Sequence, residues 1–250
     1  MKKIIKNLVG PEITAFITKI AVTRSMKRII RKVRRKKNWS ASETIEFLFS
    51  KQAIYITPWQ YKEELELLAK EIELLRPKTI LEIGTANGGT LFLAARLASD
   101  DALIISIDLP QGLFGGGYEE YKIPLYKSLG KAKQRIELIR DNSHFPEVLD
   151  QVIKILGKRK IDYLFLDGDH SYDGVKNDFY TYGKLMSDNS IVAFHDIVSD
   201  KSENPDHFVS VFWNEIKHKY NFQEFIKNKD QDNLGLGILK IKAGFSDIKC

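Results

Sequence analysis

The chain has 250 residues, enough for one sizeable domain and an appendage. Its one cysteine, Cys250, excludes an intrachain disulfide and a cysteine-based metal site, and no stretch approaches the ~18–20 apolar residues of a membrane-spanning helix. The net charge of +6 conceals an asymmetry: residues 1–37 hold 13 Lys/Arg against one acid, Glu12, so the remainder is net −6.

Met1-Lys2-Lys3-Ile4-Ile5 imitates the start of a secretory leader. Lys6, Pro11 and Lys19 break any apolar core, however, and no small-residue cleavage site follows. A cytoplasmic protein is the expectation. Ile13, Phe16, Ile17 and Ile20 then recur at i, i+3, i+4, i+7, as do Met26, Ile29, Ile30 and Val33. Nine basic residues from Arg24 to Lys37 surround the second set. Residues 1–55 are therefore expected to form a basic amphipathic helical arm, with the main domain over 56–250. Such a helix lies peripherally on an anionic membrane, binds a polyanion, or docks on the body or on a second copy of the chain in a homo-oligomer.

From about Trp59 to Arg76 a helix carries Tyr61, Leu65, Leu68, Ile72 and Leu75 on one face, and Pro77 stops it. Strands and helices then alternate. Strands are expected at 79–83, 103–107, 136–140, 161–166 and 191–195, and helices at 88–99, 119–131, 145–156, 174–187 and 208–219. Phe222–Ile226 and Leu236–Ile241 read as a closing antiparallel hairpin. The pattern predicts a doubly wound, Rossmann-like α/β fold with a mostly parallel seven-stranded sheet.

In such a sheet, ligands bind at the carboxyl ends of the strands. The first strand ends in Leu81-Glu82-Ile83-Gly84-Thr85-Ala86-Asn87-Gly88-Gly89-Thr90, a glycine turn that aims backbone N–H groups and a helix N-terminus at a ligand. A nicotinamide fingerprint would read G-x-G-x-x-G; here Ala86 stands at the second glycine. The second strand ends in Asp108, a carboxylate able to accept both hydroxyls of a ribose. The third ends in Asp141-Asn142-Ser143, suited to adenine contacts, although Asp141 serves equally well as a helix N-cap. The fourth and fifth end in Asp167-Gly168-Asp169-His170 and His195-Asp196. Adjacent strand ends lie close together, so Asp167 and Asp196 can share one divalent cation, with Mg²⁺ or Mn²⁺ suited to oxygen ligands. Residues 109–118, with three consecutive glycines, read as a lid or a plain surface loop, and residues 200–207 as an opposite wall.

Three segments, E-I-G-T-x-x-G-G-T at 82–90, L-D-G-D-H-S-Y at 166–172 and A-F-H-D at 193–196, resemble in order and spacing the motifs of class I S-adenosylmethionine-dependent O-methyltransferases. The similarity covers roughly residues 58–200. It looks closest to the branch holding catechol-type and sugar O-methyltransferases and cephalosporin hydroxylase-like proteins. The resemblance implies S-adenosylmethionine as cofactor, with Glu82, Gly84, Thr85, Ala86, Asn87, Gly88, Asp108, Asp141, Ser143 and Asp167 around it. It also implies Asp167 and Asp196 as metal ligands and His170 as the base. His195 departs from the acid or amide several relatives carry there, and either joins the metal ligands or orients Asp196.

The expected activity is methyl transfer to a hydroxyl of a small molecule, with a sugar the first choice of acceptor by analogy. A nucleic-acid methyltransferase is the competitor suggested by the basic arm. The L-D-G-D-H strand end argues against it, because base N-methyltransferases resemble N-P-P-Y or D-P-P-Y there. A non-catalytic protein keeping the cofactor pocket is a further alternative, and a hydroxylase ranks lower still.

Overall fold

A computed structural model of the chain describes residues 10–112, 117–198, 208–228 and 230–242, the side chains of 11–19 and 21 excepted. The lid tip at 113–116 and the wall at 200–207 lie outside the described residues. Helix α1 spans Pro11–Arg35, with proline in its first turn. Helix α2, Ala41–Leu48, starts on a capping box in which the Ser40 hydroxyl accepts from the Glu43 N–H and the Glu43 carboxylate accepts from the Ser40 N–H. Helix α3, Lys62–Leu75, ends where Arg76 turns left-handed ahead of Pro77.

The alternating units follow as β1 Thr79–Ile83, α4 Gly89–Leu97, β2 Leu103–Ile107, α5 Ile123–Lys127, β3 Arg135–Ile139, α6 Pro146–Leu156, β4 Ile161–Leu166, α7 Tyr172–Gly183, β5 Met186–His195 and α8 Val209–Ile216. Strands β6 Asn221–Phe225 and β7 Leu236–Ile241 complete the sheet. Its order is β3-β2-β1-β4-β5-β7-β6. The first five strands run parallel, and β7 lies antiparallel between β5 and β6. The expected architecture is present, including the hairpin.

Alternation along each strand divides the core in two. Ile80, Ile104, Tyr163, Phe165 and Ala193 face one side, with α2 to α5. Leu81, Ile83, Ile105, Leu164, Val192 and Phe194 face the other, with α6 to α8. Val22, Met26, Ile29 and Val33 of α1 join the first core beside Trp39, Phe47 and Phe92. The Trp39 ring lies 5.4 Å edge-on from that of Phe92.

The boundaries differ from expectation where polar residues blur the pattern. Strand β5 starts at Met186 instead of 191, so the helix expected to run to 187 ends at Gly183. The helix expected over 119–131 is a 3₁₀ turn at Glu120–Lys122 followed by the five residues of α5. The one expected to 219 ends at Ile216 in a 3₁₀ turn, and β3 lies one residue earlier than expected.

Candidate active site

The carboxyl ends of the five parallel strands open onto a cavity of about 310 Å³. The glycine turn forms one wall because backbone must approach backbone there. Gly84 has φ +94°, and a Cβ on it would fall 1.9 Å from the carbonyl oxygen of Asp167, so only glycine lets β1 and β4 end side by side. Ala86 is also left-handed, at φ 43°. The turn keeps the conformation of the missing glycine, and the Tyr126 hydroxyl donates to the Ala86 carbonyl (2.8 Å).

Asp108 fastens this turn to the segment after β2. Its Oδ2 accepts from the Ala86 N–H (2.7 Å) and its Oδ1 from the Gly117 N–H (2.7 Å). Burial raises its pKa, and the backbone donors oppose that rise. Glu82 lies beneath the turn, outside the cavity lining. It accepts from the hydroxyls of Thr90 (2.7 Å) and Ser106 (2.6 Å), and the Thr85 and Ser106 hydroxyls are 2.5 Å apart. Burial pushes the Glu82 carboxyl up to about 8. Asn87 donates to the Thr57 carbonyl (3.3 Å).

Of the ten residues expected around the cofactor, Gly84, Ala86, Asp108, Asp141, Ser143 and Asp167 line the cavity. Glu82, Thr85, Asn87 and Gly88 shape the turn from outside that lining. Helix α6 has Phe145 at its N-cap, so Asp141 is not that cap, and its Oδ1 accepts from the Asn142 N–H (2.8 Å). Ser143 is held from behind by the Tyr182 hydroxyl, which donates to its carbonyl (2.6 Å).

Two carboxylates and two imidazoles interleave at the ends of β4 and β5. Asp167 Oδ1 lies 2.9 Å from His195 Nδ1 and 3.6 Å from His170 Nε2. Asp196 Oδ2 is 2.9 Å from His170 Nδ1, and its Oδ1 is 3.3 Å from His195 Nδ1. Burial alone would lower both imidazole pKa values. The adjoining carboxylates override it, holding His170 at about 10 and His195 at about 9. Conversely, burial would raise Asp167 and Asp196, and the imidazoles bring both below the usual carboxylate range. Asp196 sits at φ 58°, a left-handed backbone that few residues other than glycine, asparagine and aspartate accept.

The donor set fits a divalent cation. Ligand atoms of Asp167, His170 and Asp196 all lie within 4.8 Å of one another. The grouping contains His170, expected as the base, and not His195. The His195 Nε2 is buried with no hydrogen-bond partner among the described residues.

Other residues at the site had no role assigned from sequence. Gln60 donates from Nε2 to Asp167 Oδ2 (2.8 Å), and its neighbour Trp59 stands on the cavity wall with 55% of its surface exposed. Asn233 and Leu234 reach the same wall from the turn before β7. Trp59-Gln60 reads in the sequence only as the approach to a helix, without a site role, and an Asn-Leu pair before a strand carries no motif that would have marked it.

The strand order, with the glycine turn and the acids at successive strand ends, is that of the Rossmann-like methyltransferase fold. Residues 81–197 match a family model described as a methyltransferase domain, as the motifs led us to expect. Among solved structures, the chain is similar to an O-methyltransferase from Bacillus cereus in complex with SAH. That likeness has a TM-score of 0.56 and 17% identity, over 80% of this chain and 90% of that one. It is also similar to the O-methyltransferase TomG of Streptomyces achromogenes, involved in tomaymycin synthesis and solved in complex with SAM. There the TM-score is 0.53 and the identity 16%, again over 80% and 90%. A curated relative, the uncharacterized protein y4gI of Sinorhizobium fredii, is 29% identical over 129 residues. That match covers 50% of this chain and only 14% of the relative.

Proposed function

We propose that the chain transfers a methyl group from S-adenosylmethionine to a hydroxyl of a small molecule, with a divalent ion at the carboxylate pair. One observation carries the reading: a single cavity is lined both by the glycine turn with Asp108 and by the Asp167–His170–Asp196 cluster. S-adenosylmethionine supplies the methyl group, whose bond to sulfur breaks as the bond to the acceptor oxygen forms, the sulfur keeping the electron pair. A divalent ion held by Asp167 and Asp196 would lower the pKa of a coordinated hydroxyl, an alkyl alcohol being a poor nucleophile near neutral pH.

The chain's own residues do the rest. Asp108, already fixed by two backbone donors, holds its carboxylate toward the ribose position. Asp141 and Ser143 bound the adenine end. His170, held protonated while Asp167 and Asp196 carry their full charge, is the imidazole placed to take the acceptor's proton once an ion neutralises those carboxylates, and His195 holds Asp167 in place. Gln60 fixes the other oxygen of Asp167, so that carboxylate is preorganised by two donors. Alignment of acceptor and cofactor in this walled space supplies the remainder of the rate, an orientation effect worth several kcal/mol. A sugar hydroxyl is the acceptor we favour, on the analogy drawn from the motifs.

Calorimetric titration with S-adenosylhomocysteine tests the cofactor half. Binding is expected for the wild-type chain and should be weakened at least about tenfold by Asp108→Ala, the worth of about one charge-assisted hydrogen bond. Binding of a nicotinamide dinucleotide in its place would overturn the reading.

A further inference from the structure

Helix α1 has two sides of opposite character. Val22, Met26, Ile29 and Val33 are buried in the core of the body. A helix turns by about 100° per residue, which puts Arg24, Lys27, Arg28, Arg31 and Arg34 on the half facing away, where all five are exposed. None of the five has a carboxylate partner among the described residues, whereas Lys36 is paired with Glu43 and Lys32 donates to Gln52. Arg28, Arg31 and Arg35 with these two lysines also border an open concavity on the helix surface. No acid interrupts this face between Glu12 and Glu43.

An apolar repeat precedes the basic one in the same continuous helix. In the sequence Ile13, Phe16, Ile17 and Ile20 recur at i, i+3, i+4, i+7 ahead of the arginines. The helix sequence therefore runs from apolar to cationic as the chain advances. Nucleic acid would use only the second part of that sequence. A phospholipid surface uses both, with apolar side chains at the acyl boundary and cations among the phosphates. No described helix is long and apolar enough to cross a membrane, so the helix would lie on the surface. The remainder of the chain is net negative, which orients the molecule with α1 toward an anionic bilayer.

We propose that the outward face of α1 is a docking surface for an anionic phospholipid membrane. The proposal does not depend on the reaction assigned above. The full chain should co-sediment with vesicles in which about a third of the lipid is phosphatidylserine, and not with pure phosphatidylcholine vesicles. The triple variant Arg24→Glu, Arg28→Glu, Arg31→Glu alters only exposed residues. Since each basic residue near an anionic surface contributes about a factor of five, it should lower the partition coefficient by at least about a hundredfold. Its Tm and its S-adenosylhomocysteine affinity should stay at wild-type values. Phe16→Ser with Ile17→Ser should weaken binding and leave the residue of it more sensitive to salt. Equal binding to both vesicle types would overturn the role of charge. So would absence of vesicle binding, whether RNA is bound in its place with a steep salt dependence, or the chain self-associates and Phe16→Ser makes it monomeric.

Discussion

Gln60 and Asp167, separated by 107 positions in sequence, meet through a 2.8 Å hydrogen bond. The segment leading into α3 is thereby tied to the end of β4. Gln60→Ala should leave a buried carboxylate oxygen without its donor, at a cost of about 1–3 kcal/mol in stability. Gln60→Glu should be worse, because it sets a second negative charge against the first. Thermal unfolding of the two variants gives the ranking, and the opposite order would mean that Asp167 is protonated in the folded chain.

Metal loading has a stability readout that needs no acceptor. A ligand that binds only the folded state, at a hundred times its dissociation constant, stabilises it by about 2.7 kcal/mol. Mn²⁺ should therefore raise Tm in wild type. Chelator should reverse the shift, and Asp167→Asn combined with Asp196→Asn should remove it. A Tm indifferent to Mn²⁺ would leave the four-group cluster as a self-neutralising ion pair network and nothing more.

Glu82 predicts a pH dependence. Its carboxyl is pushed up to about 8 by burial, against roughly 4.3 in an unfolded chain. Between those values the folded state keeps a proton that the unfolded state has lost. Stability is thus fully present below the lower value and declines as pH rises through 8, by at most about 1.4 kcal/mol per unit. Glu82→Gln keeps the shape and removes the titration. The variant should match wild type near pH 5 and exceed it near pH 9 in urea midpoints; parallel curves would assign the burial cost elsewhere.

Two small substitutions in the glycine turn should act in opposite directions. Gly84→Ala drives a methyl group into the Asp167 carbonyl 1.9 Å away and must displace the end of β4, with cofactor affinity lost along with stability. Ala86→Gly relieves a left-handed alanine, a strain of roughly 1–2 kcal/mol partly offset by the added freedom of unfolded glycine. Its Tm should equal or exceed that of wild type. A fall would show that the Cβ of Ala86 makes a contact worth more than its strain.

Helix α1 should matter to the body's stability. Ile29 is 1% exposed in the first core, so Ile29→Ala is expected to cost about 2–5 kcal/mol. A loss near zero in chemical unfolding would mean that the helix detaches before the body melts.

Strands β1, β2 and β4 were legible to the residue because each is a short apolar run buried on both faces, bounded by turn residues. The start of β5 was not, since Ser187-Asp188-Asn189-Ser190 carries no apolar signal and its pairing is imposed by β4 and β7. Helix α2 had a readable signature in Ser40 and Glu43, and its eight residues were too few to show a period. Asp108, Asp167 and Asp196 could be placed from sequence because they terminate strands, whose ends converge by topology. Gln60 and Asn233 depend on how two loops fold over the sheet, which no local pattern encodes. Glu82 was legible as unusual, but its side chain turns to hydroxyls below the glycine turn, not to the cavity.

Asn233 and Leu234 stand on the same wall as Trp59. The Tyr61 hydroxyl reaches Asn233 Oδ1 at 3.4 Å, and Gln231 donates to Glu64 (2.6 Å). During synthesis the glycine turn and both acids leave the ribosome well before these residues do. A nascent chain stopped at about residue 200 would possess every charged group of the centre and still lack one side of its enclosure. The order of translation therefore delays a closed chamber until the last strand pair emerges, and the growing polypeptide spends its early life with the acids open to water.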